Sequence, residues 1–291
     1  MNYASKILSY LGEGNRFSQV LLVAGAPPVE KEGSAFHIVI NVVLTPDDIR
    51  DTLAFFSGHA RRSGAADMGN HGVFAFGMPK LGRFRVHYLT QRGSVFLSIQ
   101  RMTYDIPDLE SMLSHPDQLI LMDEILRRDD GGVVLFSGPS SDSLSRLLYA
   151  SLARINQTKS LVLYILEHNL SFLLRHRNSV VIQVEVGTDI PSLEEGLQNS
   201  LFLAPDLMYV RDPKTSTEYK GLMCAAETGT LVLISVVAPD GHRVLNDIRT
   251  RMPEDYQNFA RLIRKTIRVS SGRGNLITVS ELMPSDTETG S

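Results

Sequence analysis

A buried strand that runs through a short polar turn into a helix constrains this chain more than any other stretch. Residues 131–156 read GGVVLFSGPSSDSLSRLLYASLARIN. The apolar run at 133–137 predicts a buried strand, 138–143 a tight polar turn, and Leu144, Leu147, Leu148 and Leu152 the inner side of a helix. A strand that delivers the chain into a helix head in this way is the layout of a phosphate-binding loop.

The loop pattern G-x-x-x-x-G-K-[ST] gives each position a task. Along it Gly138, Pro139, Ser140, Ser141, Asp142, Ser143, Leu144 and Ser145 are the candidate nucleotide-binding residues. Gly138 and Ser145 fit the pattern; Ser143 and Leu144 depart from it. A loop curls round phosphate when its backbone N–H groups converge, which favours residues tolerant of positive φ, and serine tolerates that less well than glycine. The missing lysine matters more, since a charge-assisted hydrogen bond contributes roughly 1.5–3 kcal/mol. Asp142 would add repulsion, about 4 kcal/mol for like charges about 4 Å apart at an intermediate dielectric. Two readings stand side by side. Either the anion hole is filled by the carboxylate of Asp142, or Ser141, Asp142 or Ser143 simply caps the helix.

With 291 residues, 43% hydrophobic and 21% charged, the chain is long enough for two globular domains. A net charge of -3, with basic residues in short clusters such as Arg175–His176–Arg177, argues against a nucleic-acid partner. The longest apolar runs, such as 231–239, are too short to span a bilayer, and the first residues lack the pattern of a secretory signal. A cytoplasmic location is expected. Cys224 stands alone, so neither an internal disulfide nor a cysteine zinc site is expected, and it reads as a small core residue.

Residues 2–12 predict a short amphipathic helix with Ile7, Leu8 and Leu11 on one side, ended by Gly12 and Gly14. Apolar runs at 19–24 and 36–44 flank a Gly-Ala-Pro-Pro turn. Thr45 then announces a helix as its N-cap, with Pro46 at N1 and Asp48 at N3. Residues 61–70 read as a flexible connection, and 73–76, 83–89 and 94–101 alternate as antiparallel strands. Residues 1–102 are therefore expected to form a small α+β domain, followed by a linker over 103–116. A helix at 117–127 and the acidic pair Asp129 and Asp130 lead into the organising strand. Strands at 161–166, 180–185, 207–210 and 231–237 then alternate with helical patterns at 191–202 and 217–227. This alternation predicts an α/β domain over 117–283 with a mainly parallel sheet, and a disordered tail over 284–291.

Several separated stretches resemble one family. VLLVAGAPPVEKEG (20–33), FAFGMPKLGRFRVHYLTQRGSVFLSI (74–99), GGVVLFSGPSS (131–141), SLEEGLQNSLFLAPDLMYVRD (192–212) and AAETGTLVLISVV (225–237) are similar to segments of the ATPases that power type II secretion and type IV pili. They are most like the twitching-motility retraction ATPases, and they follow the family's order over most of the chain. The resemblance implies a PAS-like N-terminal domain, a flexible linker and a RecA-like P-loop core. It also implies ATP and magnesium as cofactors and assembly as a ring of six.

Carried over position by position, most of the family's functional residues are replaced. The loop lysine is Leu144. Where the family reads approximately E-D-P-x-E, this chain has Glu167-His168-Asn169-Leu170-Ser171, so the first acid is kept and the acid that polarises the attacking water is Ser171. The Walker B glutamate falls at Asp212, which with Ser145 is the candidate magnesium site, and Arg211 replaces the preceding glycine. The His-box histidine falls at Val237, followed by Ala238 and Pro239 in place of threonines. Arg83 and Arg85 match, and the resemblance implies that they approach nucleotide phosphates or a neighbouring subunit. After GRGNLITVSEL (272–282), where the family continues into helices needed for retraction, a short polar tail is expected.

Local structure accounts for several of these residues as well. Ser145 can solvate a helix turn, Asp212 can cap the segment after Pro213, and Glu227 can be structural. Arg83 and Arg85 alternate with Phe84 and Val86 as on a half-exposed strand, and His168 and His176 lack metal-ligand spacing. With lysine, general base and histidine replaced together, the expectation is a non-hydrolysing regulatory or structural subunit, with Glu167 and Asp212 as the residual catalytic candidates. Its expected partners are its own copies or active paralogues in a ring, and pilus or secretion platform proteins, with the chain peripheral to the inner membrane. The alternative is a weak ATPase of the pilus retraction type, in which Arg83, Arg85 or a neighbouring subunit's arginine replaces the lysine charge.

Overall fold

Strand sequence decides the character of two sheets, one antiparallel and one mainly parallel. The computed structural model describes residues 3–13, 19–32, 35–61, 69–79, 81–127, 131–271 and 276–282. By its internal contacts the chain divides into two compact units, Met1–Asp105 and Ile106–Ser291.

The first unit holds helices α1 (Ala4–Glu13) and α2 (Pro46–Arg61) and strands β1 (Gln19–Leu22), β2 (Val29–Glu32), β3 (Ala35–Ile38), β4 (His71–Met78), β5 (Gly82–Gln91) and β6 (Ser94–Met102). The strands pair antiparallel in the order β3-β2-β1-β6-β5-β4. Ile7 and Leu11 of α1, Phe56 of α2, and Phe84 and Val86 of β5 share one core. At the start of α2 the Thr45 hydroxyl accepts from the Asp48 amide at 3.2 Å, and the Asp48 carboxylate accepts from the Thr45 amide at 2.9 Å. These reciprocal bonds form the expected cap, and the Thr45 hydroxyl and amide hold the Asp48 carboxyl below its ordinary pKa. The apolar run at 36–44 is strand only through Ile38, and β3 is exposed along its length. It lies at the sheet's edge, paired on one side to β2, a strand that the polar sequence VEKE did not announce.

The second unit begins inside the expected linker. Asp108 caps the one-turn helix α3 (Leu109–Met112) by accepting from Ser111 N at 3.1 Å, and the Ser114 amide donates to Ile277 O at 2.9 Å. Then follow α4 (Asp117–Ile125), β7 (Gly132–Gly138), α5 (Ser141–Thr158), β8 (Val162–Glu167), β9 (Val180–Glu185), α6 (Leu193–Leu203), β10 (Leu207–Arg211), α7 (Ser216–Glu227), β11 (Leu231–Val237), α8 (Gly241–Arg251), α9 (Tyr256–Leu262), β12 (Ile263–Ser271) and β13 (Ile277–Glu281). The sheet order is β13-β12-β7-β11-β10-β8-β9, parallel throughout except for the antiparallel edge strand β13. Every residue of β7 is buried, as its unbroken apolar sequence requires in a sheet covered on both faces.

Cys224 is exposed on α7, contrary to the expected core position, because the apolar side of that helix is formed by Tyr219, Leu222, Met223 and Ala226. Residues 62–68 of the expected flexible connection, Asp129 and Asp130, residues 272–275 and the expected tail lie outside the described residues. Among the described residues no helix is long and apolar enough to cross a membrane.

Candidate functional site

In a parallel sheet all strands end on the same edge, and ligands of open α/β folds bind there. At this edge β7, β10 and β8 end in Gly138, Arg211 and Glu167. The turn after β7 is much shorter than the sequence pattern implies. Helix α5 starts at Ser141, so only Pro139 and Ser140 separate strand from helix, where a turn over 138–143 was expected.

Ser140 has extended backbone angles, and its hydroxyl accepts from Ser143 N at 3.1 Å while its carbonyl accepts from Leu144 N at 3.1 Å. Ser140 is therefore the cap, rather than Ser141, Asp142 or Ser143. Two features favour this early start. Serine is a strong N-cap with Asp142 favourably placed in the first turn, and no glycine at position 143 holds the chain in a left-handed loop. Asp142 does not fill an anion hole: its side chain is 66% exposed and lies 4.0 Å from Arg146, one turn along the helix. Leu144 is 2% exposed and packs inward, as an apolar residue on the buried side of α5 must. Gly138 is required by sheet packing, since a Cβ there would collide with the carbonyl oxygen of Val269 on the neighbouring β12.

Glu167, with its side chain fully buried, is the centre of the site. It accepts from the Tyr149 hydroxyl at 2.5 Å, Ser171 N at 3.1 Å and Arg211 Nη1 at 3.3 Å. Ser171 Oγ accepts from Arg211 Nη1 at 2.8 Å and lies 3.2 Å from Glu167 Oε1 and 3.0 Å from Ser145 Oγ. Arg211 Nη2 donates to the Ser141 hydroxyl at the head of α5. Burial pushes the Glu167 carboxyl above its ordinary range, opposed by Tyr149, Arg211 and Ser171. Burial, followed by the Glu167 charge, pushes the Tyr149 hydroxyl well up, so it remains a neutral donor. Gln183 Nε2 approaches that hydroxyl at 3.3 Å and donates to Phe172 O at 2.9 Å.

The candidate magnesium residues, Ser145 and Asp212, each bond to a group near them in sequence. Ser145 Oγ donates to Ser141 O at 3.0 Å, which is the helix-turn role that local structure allowed. Asp212 pairs with Lys214 Nζ at 2.5 Å and has a left-handed φ of 55°, with its amide bonded to Ser235 O at 2.8 Å. Thr215 rather than Asp212 caps α7, in a capping box with Glu218. Among the described residues no group of three or more His, Cys, Asp and Glu side chains could hold a metal ion. His168, His176, Glu227 and Val237 are exposed. Arg83 and Arg85 are carried by β5 of the first unit, alternating with the core residues Phe84 and Val86, and Arg85 is buried, contrary to the half-exposed strand expected.

As arranged, these residues bond chiefly to one another. The amides of Ser143 and Leu144 are bonded to Ser140, Leu144 supplies no charge, and the guanidinium at the crevice is held by Ser141, Ser171 and Glu167. The sequence pattern flagged Glu167 and the loop but not the parts played by Arg211 and Tyr149. An arginine ending a buried parallel strand was the available signal for the first.

No family model matches the chain. The type IV pilus ATPase PilU of Pseudomonas aeruginosa is 28% identical over 242 residues, covering 82% of this chain and 61% of PilU. The type IV pilus retraction ATPase PilT of the same organism is 26% identical over 194 residues, covering 65% of this chain and 53% of PilT. The chain thus spans less than two thirds of the length of either relative. The crystal structure of the pilus retraction motor PilT with bound ADP superposes with a TM-score of 0.80 at 24% identity, over 98% of this chain and 83% of that one, which shows a shared fold. Sequence relatives and fold together show that this chain is similar to the PilT-like type IV pilus and secretion ATPases and shares their fold.

Proposed function

We propose that this chain is a non-hydrolysing member of its family, a regulatory or structural subunit of a type IV pilus or type II secretion motor. The observation that carries this reading is the closed loop: α5 begins at Ser141 under the Ser140 cap, and Leu144 is buried where the pattern has its lysine. Phosphoryl transfer relies on positioning and charge neutralisation, and the loop offers neither in this arrangement. Ser171 in place of the second acid removes the group that would polarise water. The partners of such a subunit are copies of itself or active paralogues in a ring, together with platform proteins, on the cytoplasmic side of the inner membrane.

Phosphate release and thermal denaturation with millimolar Mg-ATP test the reading. The expected results are no release above the protein-free blank and no rise in Tm, because a ligand bound only to the native state must stabilise it by RT ln(1 + [L]/Kd). A rate abolished by Asp212→Ala would overturn it.

A further inference from the structure

Arg211 spans the open edge of the second sheet. In the sheet order β11 separates β10 from β7, so a side chain leaving the end of β10 must reach over β11 to touch the head of α5. Nη2 does so at the Ser141 hydroxyl. Nη1 meets Ser171 Oγ at 2.8 Å and Glu167 Oε1 at 3.3 Å, on the chain that leaves β8. One planar group thus ties together segments that follow two different strands.

The backbone fixes where this group starts. Arg211 is in register with Ser235 of β11, and the next amide, Asp212 N, donates to Ser235 O at 2.8 Å. Asp212 then turns the chain away in a left-handed conformation uncommon for a residue other than glycine. The Arg211 side chain is 23% exposed, within the crevice rather than in free solvent.

We propose that Arg211 is a positioning residue that takes over the ordering role of a bound polyphosphate, holding the head of α5 and the 168–174 segment in one arrangement without any ligand. The proposal rests on the closed-loop reading of the same site. It adds that the arrangement is held by a specific internal cation rather than by the helix cap alone. Arginine suits the task because its rigid fork presents donors to separate partners at once, whereas lysine offers a single point charge.

Amide hydrogen exchange on the full chain, read by mass spectrometry with and without millimolar Mg-ATP, tests this. In the unsubstituted protein, peptides over 139–147 and 168–174 are expected to be protected without nucleotide and unchanged by it. Arg211→Ala should raise exchange about tenfold or more in both, a loss of roughly 1.4 kcal/mol in local opening free energy or greater, while α8 on the same sheet keeps its protection. Arg211→Lys should loosen 139–147 and spare 168–174, since one ammonium can keep the Glu167 contact but not also reach Ser141. Ser141→Ala should loosen 139–147 alone. Unchanged exchange over 139–147 in Arg211→Lys and Ser141→Ala overturns the proposal, even if Arg211→Ala fails to fold. Added protection of the unsubstituted loop by Mg-ATP overturns the closed-loop reading instead, and leaves the ligand-free ordering by Arg211 to be judged from the variants.

Discussion

The head of α5 and the end of β10 lie on one edge of the same sheet, and at both the residue differs in charge from the family pattern. At the head of α5 an apolar side chain, Leu144, turns into the core and a serine closes the first turn. At the end of β10, where the family pattern has glycine, Arg211 brings a guanidinium into the crevice. The cation therefore belongs to a strand end facing Glu167 rather than to a loop facing an incoming anion. A buried carboxylate needs such a partner whether or not a ligand is present, and losing one member of a buried pair strongly destabilises a protein. The contrast teaches that the electrostatics of this edge are balanced internally.

The sharpest way to break the contrast is to treat Leu144 as a ligand position. If it is a core residue, Leu144→Ala should lower stability by about 3 kcal/mol, read from the urea midpoint at unchanged slope. Leu144→Lys, which restores the lysine of the pattern but not its second glycine, should also destabilise and should produce no rise in Tm with Mg-ATP. A nucleotide-dependent rise in that single variant would show that the loop opens readily. It would end the argument that the helix start is fixed by Ser140.

Next in size is Arg211→Ala. Removing the cation leaves Glu167 buried with Tyr149 and Ser171 as donors, and the partial exposure of Arg211 softens the loss to roughly 2 kcal/mol. Adding Glu167→Gln should recover much of it, because the uncompensated charge is then gone. Additive effects of the two substitutions in a double-mutant cycle would show that the pair is not coupled.

Much of this edge was legible in the sequence, and what was hidden has physical causes. The apolar runs marked β7, β8, β10 and β11, since a strand covered on both faces has few places for polar residues. The replacements at Leu144 and Ser171 could be read directly against the family pattern. The start of α5 could not, because the pattern imposes a loop over residues whose own preference, Ser140 followed by Asp142 in the first turn, is to cap and begin a helix. The reach of Arg211 depends on strand order, which places β11 between β10 and β7 and which no local stretch records. Beside β7, β12 mixes Arg264, Lys265 and Arg268 with its apolar residues and departs from regular register between Ile263 and Lys265, so its alternation is broken where it would have been counted.

Ser140→Ala sharpens the comparison at smaller cost. Loss of the hydroxyl that accepts from Ser143 N should destabilise by about 1 kcal/mol, with Thr215→Ala at the head of α7 as the reference for an ordinary cap on the same domain. Equal losses in thermal or urea denaturation would mean that the former loop now behaves as a plain helix start. A gain in stability in Ser140→Ala would point to a strained turn.

The smallest expected effect is a pH dependence centred on Glu167. Its carboxyl is raised above the ordinary range by burial, and the Tyr149, Arg211 and Ser171 contacts offset part of that rise. Between the unfolded and folded pKa values the native protein therefore holds a proton that the unfolded chain has released. Stability falls with rising pH wherever the native state binds more protons. This contribution is fully present below the unfolded value and is lost as pH rises through the folded one. Glu167→Gln cannot titrate, so its stability should follow a flatter line through that window, measured as urea midpoints at a series of pH values. Below the window the charged Arg211 faces a neutral side chain in both proteins, so the two should differ least there. A stability that instead rises with pH in the unsubstituted protein and flattens in Glu167→Gln would mean that the arginine outweighs burial, and that the pair is tighter than its 3.3 Å separation implies.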